Sequence, residues 1–168
     1  MDDEDGIIWF TGLSGAGKTT IAKAIYNHIK DRKVFLLDGD VLRNGLNSDL
    51  GFSMEDRKEN LRRASHIANI LKEEGYLVLS TFISPTEEIR NMIKEITNCK
   101  IVWVATSLEA CKKRDPKGLY EKVKNGEIKN FTGITSPYEY PIDYDLKIVT
   151  DKQSPKESLE EFINWYKK

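Results

Sequence analysis

The stretch Gly12-Leu13-Ser14-Gly15-Ala16-Gly17-Lys18-Thr19 decides the reading of this chain. It satisfies the pattern Gly-x-x-x-x-Gly-Lys-Ser/Thr at every fixed position. Before it, Ile7-Ile8-Trp9-Phe10-Thr11 is a short apolar run that reads as a buried strand. After it, Ile21, Ile25 and Ile29 recur four apart, on one face of a helix from Thr20 to Lys30. A glycine loop between strand and helix turns successive N–H groups around phosphate oxygens, and the positive end of the helix points at the same oxygens. Lys18 then neutralises the outer phosphates, and the Thr19 hydroxyl holds a magnesium ion. The loop predicts a bound nucleoside triphosphate. It does not say what the phosphate is used for.

Outward from the loop, the chain alternates. Val34–Leu37 reads as a second strand ending in Asp38-Gly39-Asp40, and strand, helix, strand is a right-handed crossover unit with parallel strands. Val41 to Asn47 reads as a short helix or turn. Ser53-Met54-Glu55-Asp56 opens a helix, and Leu61, Ala64, Ile67, Ala68 and Leu71 keep helical spacing up to Gly75. Tyr76–Thr81 is a third strand. Ser84-Pro85-Thr86-Glu87 predicts the next helix start, with Ser84 as its cap and proline at its first position. Lys100–Ala105 is a fourth strand, followed by a capping pattern at Thr106 to Glu109. Asp115 to Pro141 is the least regular region and reads as a long mobile loop with a little helix; such a loop is usually functional. Asp145–Thr150 is a fifth strand, and Ser154-Pro155-Lys156-Glu157 opens the last helix, with Leu159, Phe162, Ile163 and Tyr166 on its inner face. Five strands alternating with helices make a three-layer α/β domain, with ligands at the carboxyl ends of the strands. Gly12 to Thr19, Asp38 to Asp40, Phe82 to Ser84 and the 115–133 loop all fall at that edge.

The bulk numbers bound the reading. With 168 residues, the chain suggests one domain, 1–168. A net charge of −1 gives no global pull toward nucleic acid. Cys99 and Cys111 match no metal spacing. The acidic start, Met1 to Asp5, lacks the features of a secretion signal, and no apolar run reaches membrane-spanning length. A cytoplasmic protein without a membrane partner is the expectation.

At the strand edge, strand 3 ends without the acid that often holds magnesium, whereas strand 2 ends in two. Asp40 is a candidate general base toward an acceptor hydroxyl, with Asp38 supporting it or the metal. An Asp-Gly pair is also an ordinary turn signal. Arg43, Arg57, Arg62 and Arg63 cluster next. Arginine suits phosphate and sulfate oxygens, while a solvated helix face explains Arg62 or Arg63 equally well. Phe52 reads either as a hydrophobic staple or as a platform for a base. Phe131 is harder to place in a core, and two aromatics on mobile segments suit a planar adenine between them. Ser84 reads as a cap or as a substrate contact. His28 and His66 receive no role.

These residues resemble a family. The stretches Trp9 to Ala22, Asp38-Gly39-Asp40, Gly45-Leu46-Asn47, Asp49 to Ser53, Glu55-Asp56-Arg57, Glu59 to Arg63, Phe82-Ile83-Ser84-Pro85, Arg114 to Tyr120, Gly126 to Lys129 and Phe131 to Ile134 are similar to those of adenylylsulfate kinases. The resemblance runs from about Gly6 to Asp151 and implies a P-loop nucleoside-triphosphate hydrolase-like fold. That fold has a five-stranded parallel sheet, helices on both faces and a mobile lid at about 115–133. The implied reaction moves the γ-phosphoryl group of ATP, with Mg²⁺, to the 3′-hydroxyl of adenosine 5′-phosphosulfate. Gly12, Leu13, Ser14, Gly15, Ala16, Gly17, Lys18 and Thr19 would bind ATP. Asp38, Asp40, Arg43, Phe52, Arg57, Asn60, Ile83 and Ser84 would bind the phosphosulfate, and Lys117 and Phe131 would close over it. Asp40, Lys18 and Ser84 form the implied catalytic set; Thr19 and Asp38 would hold the metal. Ser84 matches a serine labelled a phosphoserine intermediate in the family, although in-line transfer between two nucleotides needs no covalent stop. The resemblance also implies a homodimer.

The pattern is broken at Asn44, at Thr86 and at Asn130, where glycine usually precedes the lid phenylalanine, and an N-terminal extension of many relatives is missing. Two other readings stay open from the residues alone: a kinase of this fold for another small hydroxyl or nucleotide, and a non-catalytic nucleotide switch.

Overall fold

The computed structural model describes residues 6–168. The expectation about the acidic start, Met1 to Asp5, lies outside the described residues. Five parallel strands form one sheet in the order β2-β3-β1-β4-β5. They are β1 (Ile7–Thr11), β2 (Val34–Asp38), β3 (Leu77–Thr81), β4 (Lys100–Val104) and β5 (Leu146–Ile148). β1 lies in the middle, with Phe10 opposite Thr81 of β3 and Val102 of β4. A strand covered on both faces must be apolar throughout, and all five residues of β1 and of β3 are buried.

Successive side chains of β1 point to opposite faces and enter different cores. Ile8 and Phe10 pack with Ile21 and Ile25 of α1 (Lys18–His28) and Phe162 of α7 (Pro155–Tyr166). Ile7 and Trp9 pack with Leu61, Ala64 and Ala68 of α3 (Met54–Glu73) and Ile89 and Ile93 of α4 (Glu87–Thr97). Trp9 stacks on Phe82 with ring centroids 4.9 Å apart. Three layers follow, as the alternating pattern predicts. Shorter helices, α2 (Gly39–Arg43), α5 (Leu108–Arg114) and α6 (Leu119–Lys124), lie in the connections at the strand ends.

Capping chemistry sets most helix starts. Ser53 accepts from the Asp56 N–H, and Ser154 forms a reciprocal capping box with Glu157. Two expected caps are displaced. Thr86, not Ser84, caps α4, because Ser84 sits two residues earlier at φ 50° with its hydroxyl turned inward. Ser107, not Thr106, caps α5, because the Thr106 hydroxyl is bonded to the Ala16 carbonyl.

Candidate active site

The phosphate loop is built by what holds its carbonyls. Lys18 Nζ donates to the Gly12 and Leu13 carbonyls at 2.9 Å each. The Tyr120 hydroxyl donates to the Ser14 carbonyl at 2.7 Å. Arg114 reaches the Gly15 carbonyl at 3.3 Å, and the Thr106 and Thr150 hydroxyls take the Ala16 carbonyl at 2.9 and 2.7 Å. With five consecutive carbonyls engaged, the N–H groups turn the other way. No carbonyl among the described residues accepts from the N–H of Gly15, Gly17, Lys18 or Thr19. That is a nest of donors at the start of α1. The turn needs glycine at Gly15 and Gly17, whose φ values are 78° and 104°. Of the loop's fixers, Thr150 read only as the end of a strand, Thr106 only as a cap, and Arg114 and Tyr120 only as the ends of a matching stretch.

The Lys18 ammonium is tucked beneath the loop. Burial pushes its pKa down to about 8, with the Lys117 charge acting in the same direction.

The two aspartates at the end of β2 do different work. Asp38 caps α2: its Oδ1 accepts from the Asp40 N–H at 2.9 Å, and its Oδ2 accepts from Thr19 Oγ1 at 2.9 Å and Thr81 Oγ1 at 3.0 Å. Burial pushes the Asp38 carboxyl up, but the Asp40 N–H and the two hydroxyls outweigh it and hold the group below its ordinary value. β3 lacks an acid at this edge; it supplies the Thr81 hydroxyl instead. The Asp40 carboxylate takes no part in these bonds and pairs with Lys117 from the 115–133 segment.

Thr19 and Asp38 thus bring a hydroxyl and an anionic carboxylate together, a hard oxygen set that suits Mg²⁺. No cluster of three or more His, Cys, Asp or Glu side chains exists among the described residues. Magnesium at such sites completes its shell with water and substrate phosphates, so two protein oxygens fit it.

One side of the cavity is made by α2, α3 and the turn between them. Arg43 donates to the Gly51 carbonyl at 2.9 Å and lies 4.4 Å over the Phe52 ring. Phe52 is 56% exposed, so it stands out from the core rather than packing as a staple. Arg57 is buried; its Nε donates to the Phe52 carbonyl, and its terminal nitrogens donate to Thr132 Oγ1 and the Asn130 carbonyl. Asn60 is buried, and its Oδ1 accepts from Asn47. Arg62 and Arg63 pair with Glu59 and Asp49 on the surface, as a solvated face predicts.

Ile83 and Ser84 line the same cavity. Ser84 is 1% exposed, and its Oγ accepts from Trp9 Nε1 at 2.9 Å. Phe131 departs from the expectation of a free aromatic. It is 8% exposed and packs edge-on against Tyr120 at 5.0 Å, inside the core shared with Leu13. A ring this large is better stabilised against Tyr120 than in water, so the sandwich with Phe52 is not formed here. Phe131 still lines the cavity. All the predicted residues from Gly15 to Phe131, with the exception of buried Ala16, border one cavity of about 780 Å³. Gly12 and Leu13 sit beneath it.

A phosphate loop on β1, an aspartate pair on β2 and a basic segment above both define a P-loop phosphotransferase. The profile of the family described as adenylylsulphate kinase matches residues 4–149. The chain is 44% identical to the adenylyl-sulfate kinase of Clostridium acetobutylicum, over 99% of this chain and 86% of that one. It is 46% identical to the adenylyl-sulfate kinase of Staphylococcus carnosus, over 95% and 82%. It superposes with a TM-score of 0.94 on the Mycobacterium tuberculosis APS kinase solved with AMPPNP and APS, at 44% identity, covering 98% and 99% of the two chains. The chain belongs to the adenylylsulphate kinase family. No helix among the described residues is long and apolar enough to cross a membrane.

Proposed function

We infer that the protein transfers the γ-phosphoryl group of ATP to the 3′-hydroxyl of adenosine 5′-phosphosulfate, giving 3′-phosphoadenosine 5′-phosphosulfate and ADP. One observation carries this reading beyond the family match: the loop's free N–H groups and the Asp40 carboxylate face one cavity. Donor phosphates and an acceptor hydroxyl held there would meet in line.

The N–H groups of Gly15, Gly17, Lys18 and Thr19, with the Lys18 ammonium, bind the donor phosphates and hold negative charge as it shifts during transfer. Asp40 accepts the proton of the 3′-hydroxyl. Lys117 brings positive charge to the same carboxylate from the 115–133 segment, which acts as the lid. Arg43, Arg57 and Asn60 orient the phosphosulfate, and Phe52 offers its open face to adenine. Phe131 completes the sandwich only after leaving Tyr120, so lid closure and base stacking are coupled. Thr19 and Asp38 would hold Mg²⁺, which would supply positive charge against the terminal phosphates. Ser84 serves as a wall: a hydroxyl buried against Trp9 suits positioning better than covalent transfer. The reading takes 1–168 as one kinase domain, cytoplasmic, dimeric and without a nucleic-acid partner; light scattering in solution tests the dimer.

Asp40→Ala tests the assignment. It is expected to lower kcat by at least about 100-fold while ATP binding, measured by calorimetry, is retained. Unchanged turnover with adenosine 5′-phosphosulfate would remove Asp40 from the mechanism.

A further inference from the structure

The cavity extends to both sides of the phosphate loop, because β1 is the central strand. On the β2–β3 side lie the aspartates, Phe52 and Arg57. On the β4–β5 side lie Arg114, Thr150, Gln153, Pro155 and Ser158. If the first arm takes the acceptor, as proposed above, the donor's base occupies the second.

One side chain in that arm has a fixed hydrogen-bond polarity. Gln153 Nε2 donates to Ser158 Oγ at 3.1 Å and to Glu161 Oε2 at 2.8 Å. A carboxylate only accepts, so the amide cannot turn over without setting its own oxygen against Glu161. Both amide hydrogens are therefore used on α7. The remaining atom, Oε1, has no partner among the described residues and is not enclosed. The second arm thus presents an acceptor whose orientation is locked by a charge.

We propose that Gln153 is a specificity-determining residue for the donor, its Oε1 accepting from the 6-amino group of adenine. A purine with oxygen at position 6 presents an acceptor at the same place, and two acceptors repel. The selected class is therefore 6-amino-purine nucleoside triphosphates, and the selection depends on Glu161 as much as on Gln153.

ATP and ITP test this directly, since they differ only in the exchange of amino for oxo at position 6 and the proton this places on N1. The wild type is expected to use ATP over ITP by about tenfold or more in kcat/KM, the loss expected when a hydrogen-bonding site meets a mismatched group. Gln153→Leu should bring the ratio close to one while the KM for the acceptor stays unchanged. Glu161→Gln, which leaves Gln153 in place but frees its amide to turn, should also reduce the ratio. It provides the reading if the leucine variant folds poorly. Equal use of ATP and ITP by the wild type, or an undiminished ratio in both variants, overturns the proposal. Equilibrium binding of the two nucleotides without acceptor gives the same ratio independently of transfer. Discrimination through Gln153 in a protein that does not phosphorylate adenosine 5′-phosphosulfate would keep this inference and refute the kinase reading.

Discussion

Lys18 shows how one residue's surroundings set its chemistry. Its neighbours above are N–H groups, and its ammonium is buried under the carbonyls of Gly12 and Leu13. Burial lowers its pKa from 10.5 to about 8. Between those two values the unfolded chain binds more protons at this position than the folded one. The contribution of Lys18 to stability of the unliganded protein therefore rises with pH across that window, and its cost is fully present below about 8. Activity runs the other way. The amine must be charged to attract phosphate, so kcat/KM for ATP is expected to fall as pH rises through about 8, with the slope of one proton. Lys18→Met should lose that limb and lower kcat/KM by about 100-fold or more. A pH profile of kcat/KM that stays flat through this range sinks the assignment. The identity of Lys18 was legible in the motif. Its shifted pKa was not, because the burial that lowers it arises only in the folded loop, whose next three carbonyls are held by Tyr120, Arg114, Thr106 and Thr150 from four later segments.

Among the elements, the segment from Gly126 to Ser136 carries most of what was unreadable. It looked like a mobile loop with a free phenylalanine. Instead Phe131 is in the core, its carbonyl accepts three N–H groups from Ile134, Thr135 and Ser136, and Arg57 of α3 grips both Asn130 and Thr132. Asn130 replaces the glycine usual in the family and adopts φ 55°. Among residues with a side chain, Asn is one of the few that visit this left-handed region routinely. The substitution therefore preserves the turn that aims the Asn130 carbonyl at Arg57. Asn130→Gly is expected to leave stability nearly unchanged. Asn130→Val should destabilise by about 1–2 kcal/mol and raise the acceptor KM, because Arg57 then loses a partner. Urea unfolding and steady-state kinetics check both; a valine variant as stable as the wild type would show that the turn is not constrained. Period and capping revealed α1, α3 and α7, whereas the Ser84 cap failed because a local pattern cannot show that Trp9 claims the hydroxyl.

For the molecule as a whole, the cavity wall at Ser84 is tied to α4 and to the chain at Tyr138 and Glu139 by buried polar contacts behind the sheet edge. Arg90 is 1% exposed and donates to the carbonyls of Ser84 and Glu139 at 2.7 Å each and to Glu87 Oε1 at 2.8 Å. Glu139 in turn accepts from the Glu87 N–H, and the Tyr138 hydroxyl meets Thr11 at 3.2 Å. The cavity wall at Ser84, the start of α4 and the chain at Glu139 are thus held by one guanidinium. Arg90→Met would leave these acceptors buried without their donor, at a cost of about 3–5 kcal/mol. For a chain of this size that corresponds to a fall in Tm of roughly 6–20 °C. An unchanged melting temperature would mean that water replaces the guanidinium and that Arg90 holds nothing together.

By itself the sequence determined the alternation of strands and helices, the phosphate loop and the family, because these follow from local periodicity and from residue types at fixed spacing. It also named many of the residues that border the cavity, but not Thr81, Thr150 or Gln153. Only the tertiary structure decided which atoms those side chains present. Asp38 is committed to α2 and two hydroxyls, leaving Asp40 to pair with Lys117; Ser84 is enclosed, Phe131 is packed away, and Gln153 is turned by Glu161. The reason is that hydrogen-bond polarity and burial are set by partners brought together from distant parts of the chain, and no local pattern encodes them.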